Sequence, residues 1–212
     1  MTYFQDRLEA AHKLVQSLAD YKQEKGVVLA IPRGGVPIGH VIAKAFHFPL
    51  DLLMSKKIGH PLQPEYAIGA VSLEDHIVTE KLDVSQDYID NEIIRIHKSL
   101  KERYKMFRGG QPPVDISGKV AIIVDDGIAT GSTILSTLPM LRRKKPHKIV
   151  IAVPVAPPDT ARKLRFQVDD LICLATPSPF VGVGIHYVDF GQVSDEEVKE
   201  LMRDTSQMQE LA

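Results

Sequence analysis

Two carboxylates stand side by side at Asp125 and Asp126. A run of small and hydroxylated residues follows them: Gly127, Ile128, Ala129, Thr130, Gly131, Ser132 and Thr133. Before the acids, residues 120–124 are apolar and β-branched, a run too short for a helix and suited to a buried parallel strand. From Ile134 onward the sequence is helix-compatible. Strand, small-residue turn and helix N-terminus is the arrangement in which free backbone N–H groups and the helix dipole hold a phosphate. Gly127 and Gly131 permit close backbone approach, and Thr130, Ser132 and Thr133 add hydroxyl donors. Acids at the carboxyl end of a strand lie where open α/β sheets bind ligands. Two of them beside a phosphate cradle suit a sugar phosphate, the cradle taking the phosphate and the acids taking ring hydroxyls. An ordinary N-capped turn would account for the Ser and Thr, but not for the acid pair or the second glycine.

A second anion-type turn comes earlier, at Pro32-Arg33-Gly34-Gly35, again between an apolar run and a helical stretch. Paired glycines let consecutive amides point one way as a nest, and Arg33 adds a fork suited to phosphate oxygens. Alone the tetrapeptide reads as a plain turn; its place one strand–helix unit ahead of a second cradle favours a phosphate role. A third candidate is Ser55-Lys56-Lys57-Ile58-Gly59-His60-Pro61, a basic segment directly after a strand. Either lysine there could neutralise pyrophosphate, with Gly59 and Pro61 forming a mobile or tightly turned cover. A solvated basic turn is the competing reading.

These loops need a scaffold, and the hydrophobic pattern supplies one. Residues 4–21 form an amphipathic helix, 27–31 and 50–54 two strands, and Pro37 fits the first turn of a helix to about Phe46. Residues 66–73 and 77–78 alternate as a hairpin turning near Glu74. Ser85 caps a charged helix to about Phe107, stopped by Gly109-Gly110. Pro112 and Pro113 lead into strand 120–124, and Pro139 leaves the next helix short or kinked. Strands at 149–153 and 171–175 flank a helix at 159–166. The order implies an α/β fold, a mostly parallel twisted sheet with helices on both faces. One domain spans 1–212, its core at about 26–175, with the N-terminal helix and about 176–195 forming a small hood.

Composition sets bounds. Net charge is −1 over 212 residues, so no broad basic field faces nucleic acid. No apolar run approaches ~18 residues and no signal-peptide core opens the chain, which predicts a cytoplasmic protein with no membrane partner. Cys173, the single cysteine, lies in an apolar run and reads as a buried core thiol. The eight histidines lack metal-ligand spacing, so no dedicated zinc site is expected.

The stretch KVAIIVDDGIATGST resembles the 5-phosphoribosyl-1-pyrophosphate (PRPP) signature of the type I phosphoribosyltransferases. KKIGHPLQPEYAIGAV, ERYKMFRGGQPPVDISGKVAIIVDD and FVGVGIHYVDFGQVSDEEV resemble a little-characterised branch of predicted phosphoribosyltransferases, so the likeness runs along nearly the whole chain. It departs at Gly182, where alanine is expected, and at Ile185, where a polar residue is expected.

The resemblance implies transfer of a 5-phosphoribosyl group from PRPP to a nitrogen acceptor, with pyrophosphate released. Residues Gly127 to Thr133 would hold the 5-phosphate, and Asp125 and Asp126 the ribose hydroxyls. Arg33, Gly34, Gly35 and Lys56 or Lys57 would meet pyrophosphate. Mg²⁺ would be reached by Asp125 and Asp126 indirectly, through ribose hydroxyls or water. Phe180, Tyr187 and Phe190 would either pack half-buried or stack a planar acceptor. The charged helix is a solvated face whose spare positive charge could reach pyrophosphate or a partner subunit. Loops of this fold commonly sit near a dimer interface, so a homodimer is one assembly to expect. The alternative is a non-catalytic PRPP or nucleotide sensor on the same fold. A PRPP synthetase-like kinase would need a doubled domain and an ATP loop that the chain lacks.

Overall fold

The computed structural model describes residues 3–78 and 83–210. In chain order it begins with α1 (Arg7–Ser17), β1 (Gly26–Ala30), α2 (Gly35–Phe46) and β2 (Leu50–Leu52). An antiparallel meander follows, β3 (Ser55–His60), β4 (Gln63–Ser72) and β5 (His76–Val78), and then the long α3 (Gln86–Arg108). The second half contains β6 (Val120–Val124), α4 (Ser132–Arg143), β7 (Lys148–Val155), α5 (Pro158–Arg165), β8 (Asp170–Ala175) and α6 (Asp195–Glu210). Five strands form one wholly parallel sheet in the order β2-β1-β6-β7-β8.

Each central strand has apolar side chains on both faces because helices cover both. Val28 and Ala30 of β1 join Ile122 and Val124 of β6 in a cluster with α1, α2, α3 and α6. Val27 and Leu29 join Ala121 and Ile123 in a second cluster, under α4 and α5. The two-residue strand period sorts the residues between these layers. Register fixes what matters for the site. Gly26 pairs with Val120 and Ala30 with Val124, so the loops leaving β1 and β6 start side by side at the same edge.

On β2, Asp51 is buried and accepts hydrogen bonds from Tyr104 Oη and the Val114 N–H, both at 2.7 Å; Arg108 Nε stands 3.5 Å away. One carboxylate thus ties α3 and the linker before β6 to the sheet.

Several sequence expectations need correction. The first helix begins at Arg7, because the Asp6 side chain caps the Glu9 N–H, and it ends at Ser17 in favour of a short 3-10 turn at Ala19–Tyr21. Phe4 is thereby free to bridge to Tyr187. Residues 55–60, read as a basic loop segment that either meets pyrophosphate or is a solvated turn, form β3, whose one buried side chain is Ile58. Helix α4 runs through Pro139 to Arg143. Helix α6 was not expected at all: Ser194 caps it at the Glu197 N–H, and Val198, Met202 and Thr205 bury its inner face. Among the described residues, no helix is long and apolar enough to cross a membrane.

Candidate active site

The acid pair lies directly against the glycine turn. An ideal Cβ on Gly34 would stand 2.0 Å from Asp126 Oδ2, and one on Gly35 would stand 2.5 Å from the Val124 carbonyl oxygen. Only glycine lets the turn after β1 close onto the end of β6. The turn itself is folded on local bonds, Gly35 N–H to the Ile31 carbonyl and Val36 N–H to the Arg33 carbonyl. Asp125 accepts from the Asp126 N–H at 2.9 Å.

Sequence reasoning missed the cation that meets these acids. Arg7, on the first turn of α1, donates from Nε and Nη2 to Asp126 Oδ2 at 2.9 and 2.8 Å. Its Nη1 donates to the Gly191 carbonyl, and its guanidinium lies 4.0 Å from the centroid of Phe190. Tyr187 is buried and donates to the Asp126 carbonyl at 2.6 Å; its ring packs on Phe190 at 5.0 Å and on Phe4 at 5.3 Å. Val183 covers Gly127, where a Cβ would come within 2.5 Å of its methyl group. The aromatic residues of the 176–195 segment thus pack with α1 over the acids. An isolated arginine on the polar side of a helix carries no local mark of this role.

The loop after the acids divides into an anchor and a rim. Ile128 is buried and gives its N–H to the Val155 carbonyl, and the Ala129 carbonyl accepts from Thr160 Oγ1. Gly131 takes φ +70° and closes against Thr160. Ala129, Thr130, Ser132 and Thr133 are exposed, with the Thr130 and Ser132 hydroxyls 3.0 Å apart. Ser132 and Thr133 open α4, where first-turn N–H groups have no helical carbonyl behind them. The rim therefore has the donors of an anion cradle, while Ile128 serves to fix its shape.

Beside the rim of the cradle, a cavity of about 370 Å³ is lined by Pro32, Lys56, Ser99, Arg103 and Thr133 among others. It joins the turn after β1, the start of β3, helix α3 and the rim of the cradle. Lys56 faces this cavity, whereas Lys57 reaches out to Glu65 at 2.7 Å. Arg33 and Arg103 each approach Asp195 at 3.5 Å, so the N-terminus of α6 sits between two guanidinium groups. The charged helix α3 thus lines this cavity with Ser99, Leu100 and Arg103.

Burial pushes the Asp125 carboxyl well above its ordinary range, and the neighbouring Asp126 charge adds to that. Burial also raises Asp126, and Arg7 opposes the rise. Cys173 is half-buried, its thiol is pushed up by burial, and it donates to the Ala175 carbonyl, apart from this site.

Residues 5–189 match the family described as Phosphoribosyl transferase domain. Two Mycobacterium tuberculosis proteins, each provisionally named a phosphoribosyl transferase, are 38% identical over 206 residues, or 93% of this chain. The chain spans about half the length of those curated relatives, 46%. The crystal structure of TT1426 from Thermus thermophilus superposes with a TM-score of 0.86 at 32% identity, covering 96% of this chain and 99% of that one. A hypoxanthine-guanine phosphoribosyltransferase from Bacillus anthracis shares the fold, with a TM-score of 0.50 at 18% identity and 84% and 83% coverage. The fold is that of the type I phosphoribosyltransferases. The chain belongs to the phosphoribosyl transferase family.

Proposed function

We propose that this chain transfers the 5-phosphoribosyl group of PRPP to a ring nitrogen and releases pyrophosphate. The observation that carries the reading is the contact of Gly34 with Asp126, which closes two anion-type loops around one acid pair. In this reading the 5-phosphate lies on the rim at Thr130, Ser132 and Thr133, over the backbone of Gly127, Ile128, Ala129 and Gly131. The ribose hydroxyls meet Asp125 and Asp126. Pyrophosphate meets Arg33, the Gly34 and Gly35 turn, and Lys56, with Arg103 beside them; Lys57 is the weaker candidate because of Glu65. The acids below the ring and the cations at the leaving group would stabilise opposite ends of the charge separation as the C1–oxygen bond breaks. No protein nucleophile is required, and a nitrogen attacking the far face inverts C1.

The donor set fits Mg²⁺ as an indirect partner. Two adjacent carboxylates are present, and among the described residues no third His, Cys, Asp or Glu gathers into a metal-binding group. That suits a small hard cation that keeps its waters and takes oxygens from the substrate, where it would neutralise pyrophosphate. A dimer and a cytoplasmic setting belong to the same proposal.

The acceptor would enter on the hood side, where Phe180 is the half-buried aromatic ring; Tyr187 and Phe190 are already packed on one another, on Phe4 and under Arg7. Val183 and Arg7 fill that side of the acids, which favours a second reading, a PRPP-binding regulator without turnover. A screen for PRPP-dependent pyrophosphate release over nucleobases and other ring nitrogens separates the two. Turnover that needs Mg²⁺ and disappears in a folded Asp126→Asn variant supports the enzyme. PRPP binding without release from any acceptor supports the regulator.

A further inference from the structure

Asp126 is held more tightly than a ligand-binding acid needs to be. Arg7 places two N–H groups on its Oδ2, and Gly34 backs the same oxygen closely enough to exclude a methyl group. The Arg7 and Asp126 side chains are each only 14% exposed, so this is not a solvated surface pair of negligible worth. The third guanidinium nitrogen, Nη1, donates to the Gly191 carbonyl, and the flat face lies over Phe190. Below, the Asp126 carbonyl accepts from Tyr187, and its N–H donates to Asp125. A carboxylate torsion is soft and roughly two-fold; here it is set from outside. Oδ2 is committed to Arg7, so a ligand hydroxyl would take the other carboxylate oxygen, Oδ1.

We propose that Arg7 is a positioning residue that presents the acid pair in the one orientation that matches the vicinal hydroxyls of a ribose. It thereby makes the site select ribose over 2-deoxyribose. This rests on the reading of Asp125 and Asp126 as the ribose site. Two neighbouring acceptors pre-set at one edge cost little ordering when a diol arrives, whereas an unanchored Asp126 can turn away or bond elsewhere. The fork geometry matters as well as the charge, since lysine at position 7 would offer a point charge without the two parallel donors.

The test is titration calorimetry on the full chain with three probes: ribose 5-phosphate, 2-deoxyribose 5-phosphate and inorganic phosphate. The unaltered protein is expected to favour ribose 5-phosphate by about tenfold, a hydrogen bond's worth of discrimination. In Arg7→Gln that ratio falls to within about twofold while inorganic phosphate binds as before, because the cradle is built from other residues. Arg7→Lys gives an intermediate ratio, and it decides the matter should the glutamine variant not fold. An unaltered ratio in both variants overturns the proposal, as does equal loss for all three probes, which would mark a merely structural role. No preference for ribose in the unaltered protein removes the ribose reading itself, and the proposal with it.

Discussion

Two parts of the molecule converge on Asp126, and they reach it differently. From the sheet, the turn after β1 arrives through backbone register, with Ala30 opposite Val124 and Gly34 against the carboxylate. From the hood, Arg7 and Tyr187 arrive through side chains, across 119 and 61 residues of chain. The first contact follows from which strands are neighbours. The second depends on how α1 and the segment 176–195 happen to dock. The acid pair is therefore held by backbone packing on its sheet side and by side-chain docking on its hood side.

Removing Asp51 would test the sheet side most severely. Asp51→Ala leaves Arg108 buried without its anion and Tyr104 without an acceptor, so a loss of about 3–5 kcal/mol is expected in denaturant unfolding. Next comes a glycine contrast. Gly34→Ala should weaken PRPP binding by at least about a hundredfold in calorimetry, because Asp126 must move. Gly182→Ala in the hood loop meets nothing within 4 Å and should leave binding unchanged. Comparable losses in both variants would break the distinction between the two sides.

The lysines give a smaller effect. Lys56→Ala should weaken pyrophosphate binding by about tenfold and Lys57→Ala by less than about twofold, measured by inhibition or titration. The smallest effect is at the seam between α2 and α6. Burial lowers the His40 pKa against the opposing pull of Asp204, while its ring contacts Thr205 and Asp204, with Lys44 nearby. A His depressed in the folded state binds its proton more readily when unfolded, so stability is present above the ordinary value of 6.5 and falls as pH drops through it. His40→Gln should flatten the fall in melting temperature between about pH 7.5 and about pH 5.5.

The sheet side was readable from sequence because its signals are local. Short β-branched runs end in small residues, and the order of runs fixes a parallel sheet. The same reading stumbled where burial is one-sided. In β3, two exposed lysines mask the single inward Ile58, so a strand looked like a loop segment. In α6, three acids open the helix, and among the described side chains Val198, Leu201, Met202 and Thr205 mark the seam. Arg7 had no signal at all: its partner is an acid whose position depends on the completed sheet. Phe180, Tyr187 and Phe190 stand out in the sequence, but the way Phe190 and Tyr187 hold Arg7 and the Asp126 carbonyl follows only from the docked hood.

One competition experiment tests the central claim, that two anion loops and the acids between them form a single site. PRPP is titrated into the protein with Mg²⁺, alone and then against pyrophosphate or ribose 5-phosphate. Saturable PRPP binding that each competitor displaces is the expected result. Binding that neither fragment displaces, or no binding of PRPP, would contradict the account.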